Sequence, residues 1–269
     1  MMQFHWSAPS ALLVGAILCL ATVVQAAGVV EIDVVFPRNN QTYAPTSRFP
    51  IVFALQNPDL ATHLDPSVQY FIRNGSDLEG SFGHANQQLS PGNGNSSAGP
   101  FFIYRYVTMA DEGRHQLFAT AYWSSCDETG DEIGILGNTT NFGVGFTVAK
   151  GGQEVDLVAA TADDKTCAAK DGIAINVTDQ TREVEDSGQT ETATCAVLAS
   201  ASPTATANPC RVRIDETAAE SMLASLHDAL CQGANPPDDC PEEDGAWPLK
   251  AAGIASLAAT LGVIIFLGA

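Results

Sequence analysis

From Val29 to about Lys150 the chain runs in short stretches where apolar and polar positions alternate, each bounded by Gly, Pro, Asn or Asp. Alternation of period two sends successive side chains to opposite faces, so the pattern predicts half-buried β-strands. Val30, Ile32 and Val34 point one way, Glu31 and Asp33 the other. Ile51, Phe53 and Leu55 share a face within Phe49 to Leu55; Tyr70 and Ile72 mark a third strand; Phe102, Tyr104 and Tyr106 mark a fourth. Leu117, Ala119, Ala121 and Trp123 then line one face, and Phe142, Val144, Phe146 and Val148 alternate with Gly143, Gly145 and Thr147. Glu154 to Ala160 and Gly172 to Thr178 are read as further strands, and Thr181 to Thr194 as a polar stretch.

Strands of this length with no helical period between them predict a mainly β fold, an antiparallel β-sandwich of immunoglobulin or fibronectin type. Asp111-x-Gly113-x-His115 stands where such domains carry an Asp-x-Gly-x-Tyr corner, with His115 in place of the tyrosine. One C-terminal helix is expected over Asp215 to Cys231. Thr217-x-x-Glu220 has the form of a capping box, and Met222, Leu223, Leu226 and Leu230 make an apolar stripe to pack on the sandwich. The intervening Ala199 to Pro209 is a run of Ala, Ser, Thr, Pro and Asn that cannot bury enough apolar area to fold alone, and is expected as a tethered loop.

The two ends are read as addresses. Ala11 to Val24 is an apolar run followed by Val24-Gln25-Ala26, the small-residue pattern of a secretion signal cleaved after Ala26. Ala251 to Ala269 is uncharged, with no basic residues after it of the kind that flank a spanning helix. Small residues at Asp244-Gly245-Ala246, a spacer and the apolar tail match a glycosylphosphatidylinositol (GPI) signal, with attachment at Asp244 or Gly245. The expected organisation is a signal peptide at 1–26, a β-sandwich at 27–198, the Ser/Thr/Pro/Ala-rich loop at 199–209 and a disulfide-tethered helix at 210–232. An acidic stem at 233–245 and a GPI propeptide or transmembrane tail at 246–269 complete it. The expected location is the cell surface, on the outer leaflet of the plasma membrane or in a wall, held by a GPI lipid or a C-terminal apolar helix.

Between these ends lie all 31 acidic residues and eleven of the twelve basic ones, a formal charge of −20. Such a surface repels phosphate backbones and excludes nucleic acid as a partner. Cys126, Cys167, Cys195, Cys210, Cys231 and Cys240 remain after the signal is removed. An even count in a secreted chain reads as three disulfides, with fifteen possible connectivities. Asn-x-Ser/Thr sequons at Asn40, Asn74, Asn95, Asn138 and Asn176 mark it as a glycoprotein.

No catalytic residue, metal ligand or cofactor site emerges. Gly80-Ser81-Phe82-Gly83 lacks the spacing of a serine-hydrolase elbow, and His63, His84, His115 and His227 are scattered singly. Asp127, Glu128, Asp131 and Glu132 lack the order of a calcium loop and read as solvated. Tyr104, Tyr106, Tyr122 and Trp123 offer a sugar-stacking platform, against which their alternation favours core packing.

Val34-Val35-Phe36-Pro37-Arg38-Asn39-Asn40-Gln41-Thr42-Tyr43-Ala44-Pro45, followed by Phe49-Pro50-Ile51-Val52-Phe53-Ala54-Leu55-Gln56-Asn57-Pro58, resembles the opening of a family of secreted, GPI-anchored proteins of filamentous ascomycete fungi known by a domain of unknown function. The likeness continues through Trp123-x-x-Cys126 and the later cysteines. It implies a fungal cell surface and supplies no catalytic residues. The functional expectation is a non-enzymatic surface protein contributing to wall structure or to contact with glycans or other cells. The alternative is a hydrolase acting on wall polysaccharide through two unrecognised carboxylates across a cleft.

Overall fold

The structure is a computed structural model that describes residues 28–75, 81–89, 99–162, 166–185, 192–199, 205–233 and 240. Its strands are β1 (Gly28–Phe36), β2 (Thr42–Tyr43), β3 (Thr46–Gln56), β4 (Ser67–Asn74), β5 (Ser81–Gln88), β6 (Phe101–Met109), β7 (Gly113–Asp127), β8 (Gly134–Val148), β9 (Gly172–Glu185) and β10 (Thr192–Leu198). Among the described residues the α-helices are α1 (Leu157–Thr161) and α2 (Glu216–Cys231). Sheet A has the order β10-β9-β1-β3-β6 and sheet B the order β2-β8-β7-β4-β5; all neighbours are antiparallel except β2 and β8. This is the expected mainly β, two-sheet fold, compatible with an immunoglobulin-like sandwich and closed by three disulfides.

The alternating residues fill the space between the sheets. Val30, Ile32 and Val34 of β1 meet Val68, Tyr70 and Ile72 of β4 and Leu117, Ala119 and Ala121 of β7 within one apolar cluster. Phe49 and Phe146 stack with ring centroids 5.2 Å apart, and Phe36 and Tyr43 crowd against Phe49. His115 fills the tyrosine's place in the corner. It is buried, its ring stacks on Phe146 at 5.5 Å, and its Nε2 lies 3.1 Å from the Asp111 carbonyl oxygen, so the imidazole makes the backward backbone contact expected of the missing hydroxyl.

Glu31 and Asp33 are where the period-two reading falls short. They occupy the second face of β1 as expected, yet both are buried, because α1, α2 and the segment 207–214 lie across sheet A as a third layer. Three local expectations change with it. Glu154 to Ala160 is no strand: the Asp156 carboxylate accepts from the Ala159 amide at 2.9 Å and starts α1. The helix α2 is capped by Asp215, which accepts from the Ala218 amide at 2.8 Å, two residues before the expected Thr217. Ile214 is buried with its amide bonded to Thr161 Oγ1, so Asp215 is the first residue past that anchor free to cap. Of the apolar stripe only Met222 is fully buried, and Leu223 is 56% exposed, because α2 lies over the β6 edge of sheet A.

The remaining departures are polar strands. β9 continues to Glu185 and pairs with β10 through the stretch read as polar, since that hairpin leaves the core and only Val184 in its outer part is buried. β5 is rich in Gln and Asn and carries no apolar alternation, so it gives no strand signal although it pairs with β4 along most of its length.

Candidate functional site

Sheet B has one buried face and one open face, and the open face carries an organised set of rings. Cross-strand register sets Gly143 of β8, Phe118 of β7 and Phe71 of β4 side by side, with His84 of β5 next to them. Phe71 stacks on Phe118 at 5.2 Å and on His84 at 5.8 Å, with planes inclined by 22° and 29°. The Arg73 guanidinium covers the two phenylalanines at 4.9 and 5.6 Å, holding them upright by cation–π attraction. Phe118 and Tyr122 are nonetheless 40% and 41% exposed.

The glycine in this row is required. Gly143 has φ 152°, and a Cβ there would stand 2.1 Å from the Leu117 carbonyl oxygen, so no side chain can fill the flank of Phe118. Beside the rings lies a row of amides and hydroxyls: Tyr122 Oη donates to Gln69 Oε1 at 3.3 Å, and Thr120 Oγ1 donates to Asn141 Oδ1 at 2.7 Å. Gln69, Asn86 and Asn141 are exposed, so each keeps bonding capacity for a ligand.

This face also stands apart in charge. Among the described residues, those that project from the four strands β8, β7, β4 and β5 on this side include no Asp or Glu, in a chain that has 31. Arg73, Arg114 and His84 are the basic side chains described on it. On the Tyr122 side of the rings, away from Arg73 and Arg114, apolar ring surface flanked by neutral donors and acceptors fits an uncharged, hydroxyl-rich ligand: its C–H faces lie on the rings while its hydroxyls bond to the amides.

Of the sequons, three lie off this face. Asn74 and Asn138 occur opposite His115 and Trp123, in register with inward-facing positions, and Asn176 is on β9 of the other sheet. Asn40 lies at an exposed turn with φ 58°. The Asn138 amide donates to Ser125 Oγ and to two carbonyl oxygens. Asn95 and the expected attachment residues Asp244 and Gly245 lie outside the described residues.

Of the four aromatics singled out in the sequence, only Tyr122 reaches this platform. Trp123 is on the opposite side of β7, and Tyr104 and Tyr106 lie on sheet A beside α2. Phe71 and Phe118 were missed because a phenylalanine on a strand reads as core. The signal available was their parity, opposite to Tyr70 and Leu117 on the same strands.

The carboxylates gather elsewhere. Gln56 Nε2 donates to Asp33 Oδ2 at 2.7 Å and to Glu31 Oε2 at 3.2 Å, and Glu31 also accepts from the Asn208 amide at 2.6 Å. Burial pushes Asp33 up to about 7 against the pull of the Gln56 bond. Joined by one amide beneath the 207–214 segment, the pair is sealed in protein and does not face across a cleft. Asp127 is occupied by Thr129 and Glu128 by Arg182. Among the described residues the single convergent set of metal-type ligands is His227, Cys231 and Cys240, whose two sulfurs are bonded to each other. The other bridges are Cys126–Cys195 and Cys167–Cys210, which replace the open connectivity of the sequence.

Fold and face together define a disulfide-stabilised β-sandwich with a helical layer on one sheet and an exposed aromatic platform on the other. The chain belongs to a family defined by a domain of unknown function, DUF7136, whose model matches residues 25–240. No curated protein and no solved structure matches it. Among the described residues no helix is long and apolar enough to cross a membrane.

Proposed function

We propose that this protein is a non-enzymatic, GPI-anchored surface glycoprotein of a fungal cell that binds an uncharged wall polysaccharide through the open face of sheet B. The observation that carries this reading is the acid-free row of rings and amides on a chain whose charge is −19. Phe118 and Tyr122 are four residues apart on one strand, about 14 Å, so the platform spans several sugar rings. Three disulfides suit the oxidising space outside the cell. The resemblance at Val34 to Pro58 and the apolar tail support the fungal surface and the lipid anchor.

The test is co-sedimentation of the purified protein with insoluble β-glucan, chitin and mannan, with soluble sugar assayed in the supernatant. Retention on at least one polymer is expected, without sugar release. The double variant Phe118→Ala, Tyr122→Ala is expected to lose at least about tenfold in affinity, the equivalent of one buried ring contact of about 1.4 kcal/mol. Failure to bind any polymer overturns the glycan reading, and sugar release overturns the non-enzymatic one. A phosphatidylinositol-specific phospholipase tests the anchor. Protein that stays on cells while an anchored control is released counts against it.

A further inference from the structure

On the opposite side of the molecule, a groove of about 750 Å³ lies where α2 and the start of α1 meet the β3–β6 edge of sheet A. That volume is in the range of cavities that hold small organic ligands. The Tyr106 ring lines it, set edge-to-face against Tyr104 at 6.2 Å. The Tyr106 hydroxyl is shielded from bulk water and bonded to no described residue, and burial pushes its pKa up to about 12, so it stays a donor at any physiological pH. Leu223 forms the outer rim with more than half its surface exposed, an apolar side chain that the fold itself leaves uncovered.

Polar groups of both signs surround this ring. Arg48 lines the groove and has no ion-pair partner among the described residues. Glu154 and Asp156 are exposed on the other wall; Asp156 uses Oδ1 to cap α1. A cationic ligand would meet Arg48, and an anionic one would meet two carboxylates. A neutral polyol satisfies all of them: paired hydroxyls donate to the carboxylates, accept from Arg48 and leave a C–H face for Tyr106 and Leu223.

We infer that this groove is a second saccharide site, so that one molecule holds two glycan chains, one on each side of the sandwich, and cross-links them. The inference rests on the sheet B reading for its second chain, while the groove binds on its own account. Two sheets packed about 10 Å apart, with side chains projecting on both sides, put the two sites about 20 Å or more from each other. A short oligosaccharide cannot span them.

The experiment is isothermal titration of the purified protein with short, soluble gluco-, chito- and manno-oligosaccharides, followed by the viscosity of the matching soluble polymer. Two sites per molecule and a rise in viscosity are expected for the native chain. Leu223→Lys, an exposed change that leaves the fold intact, and Tyr106→Ala should each reduce the stoichiometry to one and abolish the viscosity rise. Phe118→Ala should leave the other single site. If both groove variants keep two sites, or if the native chain shows one site that Phe118→Ala removes, the groove inference is overturned while the sheet B reading stands. If Phe118→Ala leaves both binding and stoichiometry unchanged, the sheet B reading fails instead. Absence of any binding overturns both.

Discussion

Asp33→Asn isolates a charge buried without adequate compensation. Asp33 is fully buried, one oxygen accepts from Gln56 and the other has no partner, and Glu31 brings a second carboxylate to the same amide. Burial is the largest cause of its rise from 3.8 to about 7; Glu31 adds to the rise, and Gln56, Arg211 and Arg38 oppose it. The folded state therefore holds this proton more tightly than the unfolded chain does. The resulting stability is fully present below pH 3.8, is lost as pH rises, and is gone above about 7. The interval between 3.8 and about 7 corresponds to about 4 kcal/mol. Asparagine copies the shape of the protonated acid without its titration. The variant should match the native chain near pH 4 and exceed it in stability at pH 7.5, by a margin of up to about 4 kcal/mol. Urea unfolding followed by tryptophan fluorescence at both pH values measures this. Asp171, whose pKa burial also raises, drifts in the same sense in both proteins, so the comparison is between native and variant slopes. Equal loss of stability from pH 4 to 7.5 in the two proteins would refute the reasoning.

Other expectations follow from the same packing. Gly172→Ala places a Cβ 2.0 Å from Asp33 Oδ1, and should lower stability by about 1–3 kcal/mol in the same assay; an unchanged midpoint would show that the carboxylate can move aside. Replacing Cys126 and Cys195 together by Ala opens a 69-residue link and should remove about 4 kcal/mol, read from the denaturation midpoint. Glycopeptide mass spectrometry should find Asn40 carrying sugar to a greater extent than Asn138, whose amide is committed to three acceptors. Higher occupancy at Asn138 would mean that the hairpin bearing it closes only after glycosylation.

Period-two alternation made the inner faces of β1, β3, β4, β7 and β8 readable, because a residue facing the other sheet must be apolar. What it could not reveal is a layer added from far along the chain. Glu31 and Asp33 look solvent-facing until Asn208 and its neighbours are folded over them. The same blindness hid the platform from the opposite direction. Phe118 and Phe71 look like core, and only their register opposite Gly143 and beside His84 shows them on the outer side of sheet B, where Phe118 stays 40% exposed. Disulfide pairing was beyond reach for a related reason, since Cys126 and Cys195 lie in different sheets and meet through tertiary packing.

The Cys126–Cys195 and Cys167–Cys210 bridges also set how the molecule carries load. A pull on the chain beyond Cys210 can unwind α2, but Cys210 is bonded to Cys167 beside β9, and Cys195 on β10 is bonded to Cys126 on β7. Tension arriving from the C-terminal side therefore reaches β7 through covalent bonds and the short stretch between Cys195 and Cys210, without having to shear the sheets apart. β7 is the strand that bears Phe118 and Tyr122. Force and ligand thus meet on one strand, and the hydrogen-bonded ladder of sheet B, not the helical layer, is what must yield before the platform is lost.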